Sequence, residues 1–272
     1  MRELLEAVIL GVVQGTTEFL PISSSGHLLL GQYFFGMDQE KYGLTFDVAL
    51  HLGSLLAVIA YFRRDLAEIA RAFLRSIPHP NFGDSDQRVA YLLIVATLPA
   101  AAVGFLFRGF FEGLRSPWAV IAGLTVFGVL FILSERVGGK RKQAAKMSFR
   151  DALIIGVGQA IALLPGVSRS GSTITFGLFL GLDRQEAARF SFLMSIPITA
   201  GACLVQIPQA YSENLTPWLG FLFFAGFAVS GAVAYLTIAF LLAFFRRYSM
   251  RAFAYYSFAV SALVAVLLLL GF

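Results

Sequence analysis

Cysteine is nearly absent: Cys203 is the single one in 272 residues, so neither an intrachain disulfide framework nor a cysteine metal cluster can form. Charge is scarce as well. Asp, Glu, Lys and Arg make up 14% of the chain against 58% apolar residues, a balance that excludes an ordinary soluble domain. A secretory signal is missing from the N-terminus, where one arginine is followed by Glu3 and Glu6 and no small-residue cleavage site. Rings of like charge and a carbonyl filter motif are missing too, which argues against an ion channel. The formal charge of +5 is carried by the connections between apolar runs, as in positively charged cytoplasmic loops, and no nucleic-acid partner is expected. The 28 phenylalanines read as lipid-facing or packing residues.

What the chain does have is one short stretch used twice. Gly11-Val-Val-Gln14-Gly-Thr-Thr-Glu18-Phe-Leu-Pro21-Ile-Ser23-Ser24-Ser25-Gly26-His27 returns 145 residues later as Gly156-Val-Gly-Gln159-Ala-Ile-Ala-Leu-Leu-Pro165-Gly166-Val-Ser168-Arg169-Ser170-Gly171-Ser172, followed by Thr173. In each copy an apolar helical run reaches a proline, breaks into a Ser/Gly loop and resumes. Proline removes a backbone donor and clashes with the preceding turn, so each copy reads as two half-helices around a loop. The runs 4–13, 28–35, 152–164 and 172–180 are too short to span a bilayer, which needs about 20 residues. Runs 46–62, 89–107, 117–134, 187–207, 218–245 and 252–272 are long enough.

The expected fold is therefore an all-α integral membrane protein of two repeats. Residues 1–140 hold a re-entrant hairpin over about 3–35 and three spans; residues 141–272 hold one over about 150–181 and three more. Three spans is an odd number, so the second repeat should be inverted relative to the first, an architecture that sets its site at the repeat interface near the midplane. On this topology connections 63–88, 135–150, 181–189 and 246–251 share one side and carry 16 of the 21 Lys and Arg. The other side has only Arg2, Lys41, Arg108 and Arg115. The basic side should be cytoplasmic and both termini outside. Gly123, Gly128, Gly226 and Gly231 suit close helix packing within one chain or between two copies, so a homodimer is an open expectation.

The loops carry the polar chemistry. Gln14 and Glu18, four apart, share a helix face, and a carboxylate at membrane depth should meet water, a cation or another polar group. Ser23, Ser24 and Ser25 exceed what capping needs, and His27 within reach of Glu18 suggests proton transfer. Arg169 presents a planar donor fork suited to phosphate. Ser168, Ser170, Ser172 and Thr173 add hydroxyls, and Gly166 and Gly171 let backbone amides approach a ligand. Each loop opens a half-helix whose free N–H groups favour an anion, so the two together describe a phosphate or diphosphate site. Asp47 reads as a helix-start acid or an extra carboxylate, His51 as packing, and Gln159 as a hydrogen-bonding echo of Gln14.

Together the motifs Gln14-x-x-x-Glu18, Pro21-Ile-Ser-Ser-Ser-Gly-His27 and Pro165-Gly-Val-Ser-Arg169-Ser-Gly-Ser-Thr173 closely resemble the undecaprenyl-diphosphate phosphatase family of the bacitracin-resistance type, over the whole chain in length and repeat order. The resemblance implies a bacterial cytoplasmic-membrane hydrolase that converts undecaprenyl diphosphate to undecaprenyl phosphate and inorganic phosphate, recycling the lipid carrier of cell-wall synthesis. It implies a divalent cation, Mg2+ or Ca2+, with Glu18 and Gln14 as metal positions, although many members carry Glu where this chain has Gln14. It also implies catalytic roles for Glu18, Ser24, His27 and Arg169, with Ser24 attacking phosphorus or holding it and His27 as acid or base. Ser23, Ser25, Gly26, Gly166, Ser168, Ser170, Gly171 and Thr173 are the candidate phosphate-binding positions. The pocket is expected to open outward, with an apolar flank for the prenyl tail. Inverted repeats with broken helices also suit a transporter, so a polyprenyl-phosphate flippase is the rival reading.

Overall fold

The computed structural model describes residues 1–36, 43–114, 116–137, 139, 141–211 and 216–271. Lys41, Arg115 and Lys140, which enter the charge tally above, lie outside them. The described residues form α-helices with no β-strand. The first hairpin is α1 (Arg2–Thr17) and α2 (Ser24–Phe34). Next come α3 (Leu44–Tyr61), α4 (Arg63–Ser76), α5 (Ser85–Leu106), the short α6 (Arg108–Gly113) and α7 (Pro117–Arg136). The second hairpin is α8 (Phe149–Ile161) and α9 (Arg169–Phe179), followed by α10 (Arg184–Tyr211), α11 (Pro217–Phe244) and α12 (Arg251–Leu269).

Five of these helices, α5, α7, α10, α11 and α12, are long and apolar enough to cross a membrane, and the α3–α4 pair makes a sixth if it counts as one bent span. This is a multi-pass membrane protein. The half-helices start and stop for local reasons. Ser23 caps α2 by accepting from Gly26 N–H at 3.3 Å, and Ser168 caps α9 by accepting from Gly171 N–H at 3.1 Å, the same device 145 residues apart. A reciprocal capping box between Ser148 and Asp151 starts α8.

One connection departs from expectation. Residues 63–88 read as a basic loop, yet Arg63–Ser76 folds into α4, turned 77° from α3. Leu66 and Ile69 pack against the core, Ala72 is buried, and Arg63, Arg64, Arg71 and Arg75 face outward. That is helical spacing of apolar residues within a strongly charged segment.

Each hairpin is held by a long helix from elsewhere in the chain: α1 packs along α11, and α8 along α5. Both contacts need a missing side chain. A Cβ on Gly11 would lie 2.8 Å from the carbonyl oxygen of Gly226, and one on Gly156 would lie 2.5 Å from that of Ala96. Gly11 and Gly156 are equivalent positions of the duplicated stretch. Gly123, Gly128, Gly226 and Gly231 all meet neighbours inside the chain, on the second loop, Phe258, Phe46 and Gly53 respectively. The largest core cluster joins α5, α7, α8, α9, α10 and α11 around Phe131, Phe190 and Phe192, with smaller clusters under α1 and α2.

Candidate active site

The two hairpin loops meet. Glu18, the C-cap of α1, is 8% exposed, and both of its carboxylate oxygens are engaged. Gln14 Nε2 donates to Oε2 at 3.0 Å, one helical turn back on the same face, and Ser24 Oγ donates to the same oxygen at 2.7 Å. The other oxygen, Oε1, takes the Arg169 guanidinium as an ion pair. Arg169 uses its second terminal nitrogen on Thr199 Oγ1 of α10, 3.1 Å away. A hydroxyl, a carboxylate and a guanidinium thus stand in one chain, drawn from both copies of the repeat. Burying two charges is costly, and this pair meets the cost by hydrogen bonding nearly every charged atom.

Around them lies a cleft of about 280 Å3. Glu18, Ser24, Ser25, Ser168 and Arg169 form its polar wall. Leu28, Val48, Leu163, Val167 and Ile198 form an apolar flank. Ser24 and Ser25 open α2, while Arg169 opens α9, so two helix N-termini come to one cavity. Their first-turn N–H groups have no intrahelical partner, which makes the cavity a place for an anion beside an apolar group. The cleft lies toward the C-terminal half of α10, around Thr199–Gln206, roughly 20 Å along the helix from Arg184 and the basic connections.

Not every candidate faces this cavity. Ser170 Oγ donates to the Leu20 carbonyl at 3.1 Å and locks the second loop to the first. Thr173 bonds the Arg169 carbonyl at 2.8 Å and Ser191 at 2.6 Å. Ser172 donates to the Gly158 carbonyl at 2.6 Å. Ser23, Gly26 and Gly171 are used in the two caps, and Gly166 takes a φ of +79° while pressed on the Val120 backbone of α7. These positions build the loops, as the Ser168 hydroxyl does in capping α9, and Ser24, Ser25 and Arg169 carry the loop groups that face the cleft. Gln159 does not echo Gln14: the position equivalent to Glu18 is Leu163, and neither amide atom of Gln159 finds a partner among the described residues.

The histidines exchange places. His27 turns out of the cleft toward α12, where its Nε2 meets Tyr256 Oη at 2.8 Å and its Nδ1 meets the Ser23 carbonyl at 2.8 Å. His51, expected to pack, lines the cleft with Nε2 3.7 Å from Glu18 Oε2 and Nδ1 2.7 Å from the Asp47 carbonyl. Ser23 itself has a φ of +71°, the left-handed region that costs a non-glycine residue on the order of 1–3 kcal/mol. Sequence reasoning missed Thr199, His51 and Tyr256. For Thr199 a signal existed: Ser191, Ser195 and Thr199 recur every four residues in an apolar span, one face of α10. Tyr256 carries none in its flanking residues.

The described residues alone do not supply a full ligand set for a divalent cation. Such ions take six or more oxygens, and among the described residues no group of three or more His, Cys, Asp and Glu converges. Glu18 is already paired with Arg169, and Gln14 Oε1, buried without a partner among the described residues, is one neutral oxygen.

The family model described as bacitracin resistance protein BacA matches residues 7–263. The chain is 57% identical over 272 residues to the undecaprenyl-diphosphatase of Rubrobacter xylanophilus, covering 99% of this chain and 100% of that one. It is 45% identical to that of Moorella thermoacetica, over 96% of both chains, and 43% identical to that of Pelobacter propionicus, over 98% of both.

Proposed function

This chain belongs to the bacitracin resistance protein BacA family, and on that premise we propose how its site works. It hydrolyses undecaprenyl diphosphate, releasing inorganic phosphate and leaving undecaprenyl phosphate in the membrane. The observation that carries the reading is the junction of Ser24, Glu18 and Arg169 beside two helix N-termini and an apolar flank. Ser24 Oγ already donates to a carboxylate, the arrangement of a nucleophile with its base. It attacks the terminal phosphorus, forming a Ser24–phosphate ester while the bond to the bridging oxygen breaks. The proton passes to Glu18. Undecaprenyl phosphate leaves as an anion and needs none. Water then hydrolyses the ester, and Glu18 returns the proton to Ser24. The Arg169 fork and the first-turn amides of α2 and α9 stabilise charge on the phosphoryl oxygens.

A divalent ion, Mg2+ or Ca2+, would on this reading be held chiefly by the substrate, with Glu18 and Gln14 as the protein oxygens offered to it, and would supply counter-charge to the diphosphate. The two hairpin-plus-three-span units form inverted repeats in the bacterial cytoplasmic membrane. The basic connections face the cytoplasm, both termini lie outside and the cleft opens outward. Support comes from the side on which Lys and Arg concentrate and from the reciprocal packing of α1 on α11 and α8 on α5. The deciding experiment is phosphate release from undecaprenyl diphosphate by purified protein in detergent. Turnover that disappears in Ser24→Ala is expected; a protein that moves the lipid without releasing phosphate would refute hydrolysis.

A further inference from the structure

The attacking residue, Ser24, hangs on a turn with an unfavourable backbone, and something must hold that turn. Ser23, immediately before Ser24, is the only non-glycine residue with positive φ among the described residues. Its carbonyl accepts from the His27 backbone N–H at 3.1 Å and also meets His27 Nδ1 at 2.8 Å. A carbonyl oxygen can only accept, so Nδ1 carries a hydrogen. Nε2 of the neutral ring is then a bare acceptor, and it is the Tyr256 hydroxyl that donates, at 2.8 Å. The two ring planes are nearly parallel, 16° apart, with centroids 5.7 Å apart. Both ring nitrogens of His27 are thereby occupied, and neither faces Glu18.

We propose that Tyr256 is a positioning residue for the hydrolysis described above: through His27 it braces the strained carbonyl of Ser23 and so sets Ser24 against Glu18. The strut runs from α12, near the C-terminal end of the chain, to α2, near its beginning. Tyr256 touches neither the cleft nor the reacting atoms, and its effect is on where Ser24 stands. His27 accordingly serves as a neutral link in one tautomer and does not exchange protons with substrate.

Tyr256→Phe removes only the hydroxyl. Expected is a fall in kcat of roughly 10- to 100-fold, the scale for a reacting group displaced by a fraction of a bond length to 1 Å, with KM nearly unchanged because the phosphate-binding groups stay in place. In a His27→Ala background, where the strut is already cut, the same substitution should change kcat by less than about twofold. A wild-type rate for Tyr256→Phe, or an equal loss in both backgrounds, would overturn the proposal. A readout independent of turnover is the 15N spectrum of histidine-labelled protein in detergent, with the His27 signals assigned by their loss in His27→Ala. Nδ1 should be the protonated nitrogen, and the Nε2 resonance should move in Tyr256→Phe; protonation at Nε2 alone, or an unmoved resonance, rejects the strut itself. Failure of the hydrolase reading would look different: wild-type protein would release no phosphate while these resonances behaved as expected, and the positioning role assigned to Tyr256 would fall with it.

Discussion

Arg169 reaches two partners through a planar fork that lysine lacks: one terminal nitrogen binds Glu18 and the other Thr199. Arg169→Lys keeps the charge but has a single nitrogen, so we expect kcat for phosphate release to fall roughly 10²–10³-fold in protein that still folds. Near-normal turnover would make the guanidinium a mere counter-charge. Thr173→Ala should behave in the opposite way. Its hydroxyl bonds the Arg169 carbonyl and Ser191 inside the protein, so its loss should cost about 1–3 kcal/mol in thermal or denaturant unfolding while turnover stays within a few-fold. At this scale the sequence was legible where residue type limited the choices: a carboxylate, an arginine and a serine run inside apolar loops have few uses besides a polar site. It was not legible for direction. Which way His27 turns depends on Tyr256, 229 residues away, and no local spacing encodes that contact.

Helices in this protein approach one another where glycine lets them. Gly156→Ala would push a methyl to 2.5 Å from a backbone oxygen of α5 that cannot swing aside, so α8 must shift. We expect a loss of about 1–3 kcal/mol and a drop in turnover, since α8 leads directly into the loop that holds Arg169. Gly31, on α2, is the control. A Cβ there meets nothing within 4 Å, and Gly31→Ala should leave turnover unchanged and stability equal or up to about 1 kcal/mol higher. Thermal unfolding of the two variants in the same detergent checks both. The broken hairpins were readable because proline and a Ser/Gly loop interrupt an apolar period in the same way twice. Helix α4 was hidden because arginines and acids are interleaved with its apolar positions, so composition suggested a solvated connection while Leu66 and Ile69 kept helical spacing.

For the molecule as a whole, orientation decides what the cleft can receive. The basic connections and the cleft lie toward opposite ends of α10, so if the connections face the cytoplasm the diphosphate must come and go from the outer side. Three single cysteines in a Cys203→Ala background separate the possibilities. Gln143 is exposed in the basic connection, Gly109 is exposed between α5 and α7 where a side chain meets nothing, and Gln206 lines the cleft. An impermeant thiol reagent added outside intact cells should label Gly109→Cys and Gln206→Cys but not Gln143→Cys. Undecaprenyl diphosphate should protect Gln206→Cys alone, because only that position shares a cavity with Ser24 and Arg169. Labelling of Gln143→Cys and Gly109→Cys from the same side would break the inverted arrangement. Labelling of Gln206→Cys only from the cytoplasm would leave the repeats standing and turn the cleft around, placing the phosphate product inside the cell.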